Sequence, residues 1–332
     1  MPSGFVLPCE TSRSRHLPPG YPPRVPPERD PKRRPFCSEA SRERSEPLGA
    51  TASRVDHWIL VEYRGGWRRD LVGGSLLSAE LKAHLRAQRE TLGHARVLFV
   101  RQPERREEAG RRVIFGTSRP GEERFLELEV EHQEDLRGFD LASALASGAP
   151  GTPVDGPLYL VCTHGKRDRC CARYGRPLYD ALRERTGPDR VWQSSHVGGD
   201  RFAGNVVVLP QGLYYGRIAP DDVDGLLAAH AAGSVLLDRF RGRSTYPFRV
   251  QAAEQAIRES AGLVGIDDLA FLGARRLAGD VTRARFEAPG SSVHEVDIVG
   301  TLDDEAAYLT CGSDEPRRAR RCRVVRHRVL SR

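Results

Sequence analysis

What the chain lacks narrows its function first. No apolar run approaches the roughly 18 residues that a membrane-spanning helix needs. Residues 1–20 hold no apolar core followed by a small-residue cleavage site, so no secretory signal is expected and a cytoplasmic location is. No G-x-G-x-x-G opens a helix after a strand, which argues against a dinucleotide site. C-x-x-C, the motif that sets a low thiol pKa at a helix N-terminus, is also missing. A phosphatase loop would need Arg where Asp168 stands, and Arg167 falls one position short. No carboxylate pair stands out for glycoside chemistry. No repeat is visible by eye, although the two halves are compatible with distant copies of one fold.

The 332 residues, 39% hydrophobic and 29% charged, suit a soluble globular protein with a real core. A net charge of +7 suggests nucleic acid until it is located. Residues 1–36 carry seven Arg or Lys against three acids, and residues 317–332 carry eight Arg and no acid. The stretch between them is therefore mildly acidic. Basic ends of this kind are expected to be solvated, and no aromatic stripe accompanies them to stack bases, so a nucleic-acid partner is not expected.

Seven cysteines are present: Cys9, Cys37, Cys162, Cys170, Cys171, Cys311 and Cys322. The count is odd and three crowd together, which points to metal or redox chemistry rather than a disulfide framework. Residues 1–36 hold ten of the 23 prolines and read as a disordered Pro/Arg-rich tail. An N-terminal α/β half is expected over 37–150. Its strands are 57–63, 96–101, 112–116 and 124–130, and its helix is 76–92. The Gly/Pro-rich stretch 146–156 marks a boundary.

The second half, 151–243, starts with an apolar strand at 158–161 and a cysteine loop at 162–172. A helix with Pro177 in its first turn follows. Then come a strand at 191–193, a hairpin of 206–209 with 213–216, and a helix at 221–232. This β-α-β-β-β-α order suits a thioredoxin-like core. Residues 244–332 read as an α+β appendage with a basic tail, containing a helix at 248–260 and strands at 282–287, 294–299, 306–309 and 322–329.

Chemistry concentrates in two stretches. CTHGKRDRCC, residues 162–171, follows a strand end, where α/β folds place their sites. Two thiolates nine residues apart on one loop can converge on a metal. SHVGGDRFA, residues 195–203, brings His196 and Asp200 around Gly198 and Gly199, which let backbone approach a cofactor closely. His164 suits a supporting donor or even a ligand. Arg167, Lys166 and Arg201 are candidates to donate hydrogen bonds or offset charge. Cys9 and Cys37 are expected to precede the folded region as passive thiols, and Cys311 and Cys322 to be ordinary buried or surface thiols.

These words, with residues 46–63 (EPLGATASRVDHWILVEY) and 195–218 (SHVGGDRFAGNVVVLPQGLYYGRI), resemble the sucrase/ferredoxin-like family. The resemblance implies a thioredoxin-like ferredoxin domain that carries electrons through a [2Fe–2S] cluster. Fungal and plant members show C-x8-C followed by H-x3-H as ligands. By position that implies Cys162, Cys171 and His196. The fourth position departs, because Asp200 stands where the family has His. Either Asp200 or Cys170 is then the fourth ligand, or the site holds zinc or nothing. A thiol–disulfide oxidoreductase on the same fold is the other alternative. Mixed Cys/His ligation raises a cluster's potential, and an anionic Asp lowers it again. A carrier of this kind needs a reductase and an acceptor protein.

Overall fold

The computed structural model describes residues 34–105 and 110–330. The expected disordered tail over 1–36 lies outside the described residues, apart from its last three positions. Residues from Pro35 onward form one unit.

The first half runs α1 (Cys37–Glu43), β1 (His57–Glu62), α2 (Ala79–Leu92), β2 (Ala95–Arg101), β3 (Arg111–Thr117), β4 (Arg124–Val130), α3 (Leu141–Ser147) and a two-residue β5 (Thr152–Pro153). The second half runs β6 (Leu158–Cys162), α4 (Arg169–Thr186), β7 (Val191–Ser194), β8 (Val206–Leu209), β9 (Leu213–Tyr215), α5 (Val223–Ala231) and β10 (Phe240–Arg243). The expected strands fall where the apolar runs placed them. In α2, Ser78 caps the helix by accepting the amide of Leu81, and Leu81 and Leu85 are fully buried.

β6 pairs parallel with β7 and antiparallel with β8, and β8 pairs antiparallel with β9. With α4 and α5 this is a thioredoxin-like core. The first half repeats it: β1 pairs parallel with β2 and antiparallel with β3, which pairs antiparallel with β4. The two copies are not separate bodies. β2 meets β7 antiparallel at Val100 with Ser194 and Arg101 with Gln193, closing one ten-stranded sheet. The expected boundary near residue 150 is thus no break in the sheet.

Strand alternation sorts the core. Ile59, Val61, Phe99 and Val113 pack with Leu81 of α2 and Leu141 of α3. In the second half Tyr159, Val161 and Val208 pack with Leu178 and Leu182 of α4. The opposite face is shared by the two halves, joining Trp58, Leu60 and Val100 to Leu160, Trp192 and Val207.

The appendage is α6 (Phe248–Ala261) on a four-stranded antiparallel sheet of β11 (Ala270–Arg276), β12 (Val281–Ala288), β13 (Ser292–Ala307) and β14 (Arg317–Leu330). Two elements differ from the expectation. The strand at 306–309 is instead the end of the 16-residue β13. β11 was not foreseen. The strand expected at 322–329 is present as the longer β14 and carries the basic tail; most of its arginines are exposed, but Arg321 pairs with Asp303 at 2.6 Å and with Glu46 at 2.9 Å, and Arg328 with Glu295 at 2.9 Å. Antiparallel pairing with an acid-bearing partner strand gives Arg321 and Arg328 a structural place that a charge count alone does not reveal.

Because both halves share one sheet and one core face, they should unfold together. Leu160→Ala should cost about 2–5 kcal/mol and shift one common urea transition. Fluorescence of Trp58 and Trp67 reports on the first half and that of Trp192 on the second, through variants keeping one tryptophan group. Two separated transitions would show the halves to be independent.

Candidate metal centre

The end of β6 delivers Cys162, and the chain turns back at once into α4. Asp168 caps that helix by accepting the amide of Cys170 at 2.9 Å. The helix therefore begins at Arg169, not near Pro177, and the expected cysteine loop is partly helical. Pro177 sits inside it, costing one backbone hydrogen bond without breaking it. Gly175 is needed where α4 crosses the strand end, since a Cβ there would meet the Cys162 carbonyl oxygen at 2.1 Å.

Starting the helix early separates two neighbours. Cys171 turns toward Cys162, and Cys170 turns away. Cys162, Cys171 and His196 offer ligand atoms that all lie within 4.8 Å of one another. Both cysteines are only 1% exposed, whereas the His196 side chain is 21% exposed. Asp200, 4% exposed, borders two of the three: its Oδ1 lies 3.5 Å from Cys171 Sγ and 3.0 Å from His196 Nδ1. That last approach lacks hydrogen-bond geometry, so among the described residues Nδ1 is buried with no hydrogen-bond partner. Two free thiols, an orphaned imidazole nitrogen and a carboxylate oxygen form a donor set that fits a thiophilic metal.

The electrostatics favour thiolate at Cys162. A hydrogen bond from Cys171 pulls its pKa well down, burial opposes this, and His196 and the Val197 amide add to the pull. The same contact, with burial, pushes Cys171 up. Burial would lower His196, but Asp200 and Cys162 hold it at about 9.

The supporting residues differ from the sequence expectation. Arg167 and Lys166 are exposed on the turn. Arg201 is engaged elsewhere, donating to Glu46 at 2.7 Å. His164 is buried, with Nε2 3.0 Å from the Arg68 carbonyl oxygen and its ring edge-on to Trp67. It stays outside the close ligand set, and burial lowers its pKa.

The cation that this site feels is Arg241, which sequence reasoning missed. Fully buried, it donates to the Gly198 carbonyl at 3.0 Å, Asn205 Oδ1 at 2.8 Å and the Thr51 carbonyl at 2.7 Å. Burial lowers its pKa to about 10, while Asp200 and Cys162 are among the charges that raise it. Nothing in the local run Phe240–Arg243 marks it, because its partners are distant in sequence. The glycine pair serves this arginine. Gly199 has φ +81°, and a Cβ there would lie 2.2 Å from Arg241 Nη2. Gly198 at φ +100° approaches Ser53 in the same way. The close approach expected toward a cofactor is thus made to protein.

Cys170 is not in the first group. It lies with Cys37, Cys311 and Asp168 in a second one. Cys37 is buried in α1, inside the folded region rather than before it as expected, and Cys311 is half-buried. Their separation in sequence hid them from any spacing argument.

Gly199→Ala should strain the backbone and displace Arg241, lowering stability by about 1–3 kcal/mol in urea melts. Gly225→Ala, on an open helix face, should not.

Comparison with known proteins follows the same residues. The sucrase/ferredoxin-like family model matches residues 48–242, more than half of the chain. Proteins named "altered inheritance of mitochondria protein 32" are similar in part. The one from Meyerozyma guilliermondii is 36% identical over 95 residues, covering 26% of this chain and 34% of that protein. The one from Debaryomyces hansenii is 33% identical over 95 residues, covering 26% and 35%. The match thus spans about a third of the length of these curated relatives. Among solved structures, the thioredoxin-like [2Fe–2S] ferredoxin from Aquifex aeolicus aligns with a TM-score of 0.25 and 23% identity, over 28% of this chain and 97% of that one. A cysteine-to-serine variant of that ferredoxin aligns with a TM-score of 0.23 and 24% identity, over 26% and 97%. No helix among the described residues is long and apolar enough to cross a membrane. By the extent of the family match, this chain belongs to the sucrase/ferredoxin-like family.

Proposed function

We propose that the chain is an electron-transfer protein whose [2Fe–2S] cluster is held by Cys162, Cys171 and His196, with Asp200 as the fourth ligand. The observation that carries this is the convergence of two buried thiols and an imidazole within 4.8 Å, with the Asp200 carboxylate against two of them. Cys170 is the weaker candidate for the fourth position because it belongs to the other group. When bound, the cluster supplies one-electron oxidation and reduction.

The chain's own residues set the conditions. Burial of both cysteines keeps water from the sulfurs, and low polarity strengthens each charge interaction. Arg241 places a fixed positive charge near Asp200 and Cys162, offsetting the anionic ligands. Asp200 adds a negative charge where the family has a neutral imidazole, which favours the oxidised state and lowers the potential. His196 is the ligand nearest solvent, so a reductase and an acceptor protein would exchange electrons at its edge.

The first test is the visible spectrum with iron and sulfide analysis of chain purified without oxygen. About two irons and two sulfides per chain are expected. Cys162→Ser or Cys171→Ser should abolish the spectrum, and full iron content in either variant would refute the ligand assignment. Asp200→His should keep the cluster and raise its potential in redox titration. If Asp200→Ala leaves the spectrum unchanged and Cys170→Ser alters it, Cys170 is the ligand. A chain that stays colourless after iron–sulfide reconstitution would favour zinc or thiol chemistry instead.

A further inference from the structure

The second cysteine group is made by three segments far apart in sequence. Cys37 opens α1, Cys170 lies in the first turn of α4, and Cys311 sits in the connection between β13 and β14. Their sulfurs form a nearly regular triangle with sides of 3.4, 3.5 and 3.6 Å. A disulfide would bring two sulfurs to about 2.05 Å and leave the third apart. A tetrahedral ion with metal–sulfur bonds of about 2.3 Å sets its sulfurs about 3.8 Å apart, close to this triangle.

A fourth donor faces the triangle. The two Asp168 carboxylate oxygens lie 3.8 and 3.9 Å from Cys37 Sγ, and the residue is 3% exposed. Its position is fixed from both sides, because Oδ1 accepts the Cys170 amide at 2.9 Å and Oδ2 the Cys311 amide at 2.7 Å. Each oxygen keeps a lone pair. All four ligand atoms lie within 4.8 Å of one another. Ser38 Oγ donates to Cys170 Sγ at 3.2 Å and the Cys37 amide to Cys311 Sγ at 3.5 Å, the kind of outer contacts that orient thiolate ligands. Three thiols and a carboxylate gathered out of water repel one another once ionised unless a cation joins them.

We infer that Cys37, Cys170, Cys311 and Asp168 bind a single tetrahedral divalent zinc ion, separate from the group at Cys162. Zinc suits the set: it accepts sulfur and oxygen donors together, and its closed shell imposes no geometry beyond the four ligands. Four protein donors leave no open position, which makes the ion structural. It ties the segment before β1, the start of α4 and the β13–β14 connection to one point.

The test uses the full chain, purified without oxygen and analysed for zinc and iron together, with cobalt(II) as a spectroscopic substitute. About one zinc per chain is expected, and cobalt should give thiolate charge-transfer bands. Cys311→Ser, on a half-buried loop where little packing is lost, should weaken zinc binding at least about tenfold with the iron spectrum retained. Cys37→Ser should do the same, and Cys322→Ser should leave zinc unchanged. Cys162→Ser should lose iron and keep zinc, so failure of either site is read separately. Folded chain that binds neither zinc nor cobalt would overturn the inference. So would Cys311→Ser chain with unchanged zinc, or an oxygen-free preparation in which two of the three thiols are already joined as a disulfide.

Discussion

Asp168 accepts the amides of Cys170 and Cys311 with its two oxygens, and much of the chemistry of this chain depends on that pair of hydrogen bonds. The first of them starts α4 directly after the β6 turn. A helix begun there advances about 100° per residue, so the adjacent Cys170 and Cys171 look in different directions. One joins Cys162 and the other joins Cys37 and Cys311. The second hydrogen bond brings the β13–β14 connection down onto the helix start. Burial raises the Asp168 pKa to about 7, with the nearby charge of Asp200 adding to it, so the two groups sense each other's charge.

The two thioredoxin-like copies divide the labour unequally. Only the second carries cysteines at the end of its first strand. In the first copy the corresponding loop supplies Trp67, which stacks edge-on against His164 at 5.7 Å and lies beneath the Arg101 guanidinium at 4.3 Å. That loop covers the Cys162 turn instead of building a second centre. The antiparallel seam between β2 and β7 makes this possible, since it brings the C-terminal ends of those strands together.

Legibility in the sequence followed the range of the interactions. Strands such as His57–Glu62 and Leu158–Cys162 are runs of apolar and β-branched residues, and their signal is local. So is the Ser78 cap of α2. Cys162, Cys171 and His196 were readable because two lie on one turn and the third in a motif with family precedent. The start of α4 was misplaced because Pro177 looks like a first-turn proline, while the Asp168 cap that sets the start is an equally ordinary signal nine positions earlier. Arg241 and the Cys37–Cys311 pairing were invisible: their partners are brought close only by the complete fold. Most arginines of β14 are exposed, as a run of one charge suggests, but the pairing of Arg321 and Arg328 with acids of β13 shows only once the two strands lie side by side.

The reach of the second cysteine group bears on how the protein can be cut. A fragment trimmed to the family-matched stretch 48–242 would keep Cys162, Cys171, His196 and Asp200. It would lack Cys37 and Cys311, strand Cys170 among absent neighbours, and end inside β10, one residue before Arg243. It would also lose Glu46, the carboxylate that Arg201 and Arg321 share. The unit that can be expressed and handled alone is therefore longer at both ends than the stretch by which its kinship is recognised.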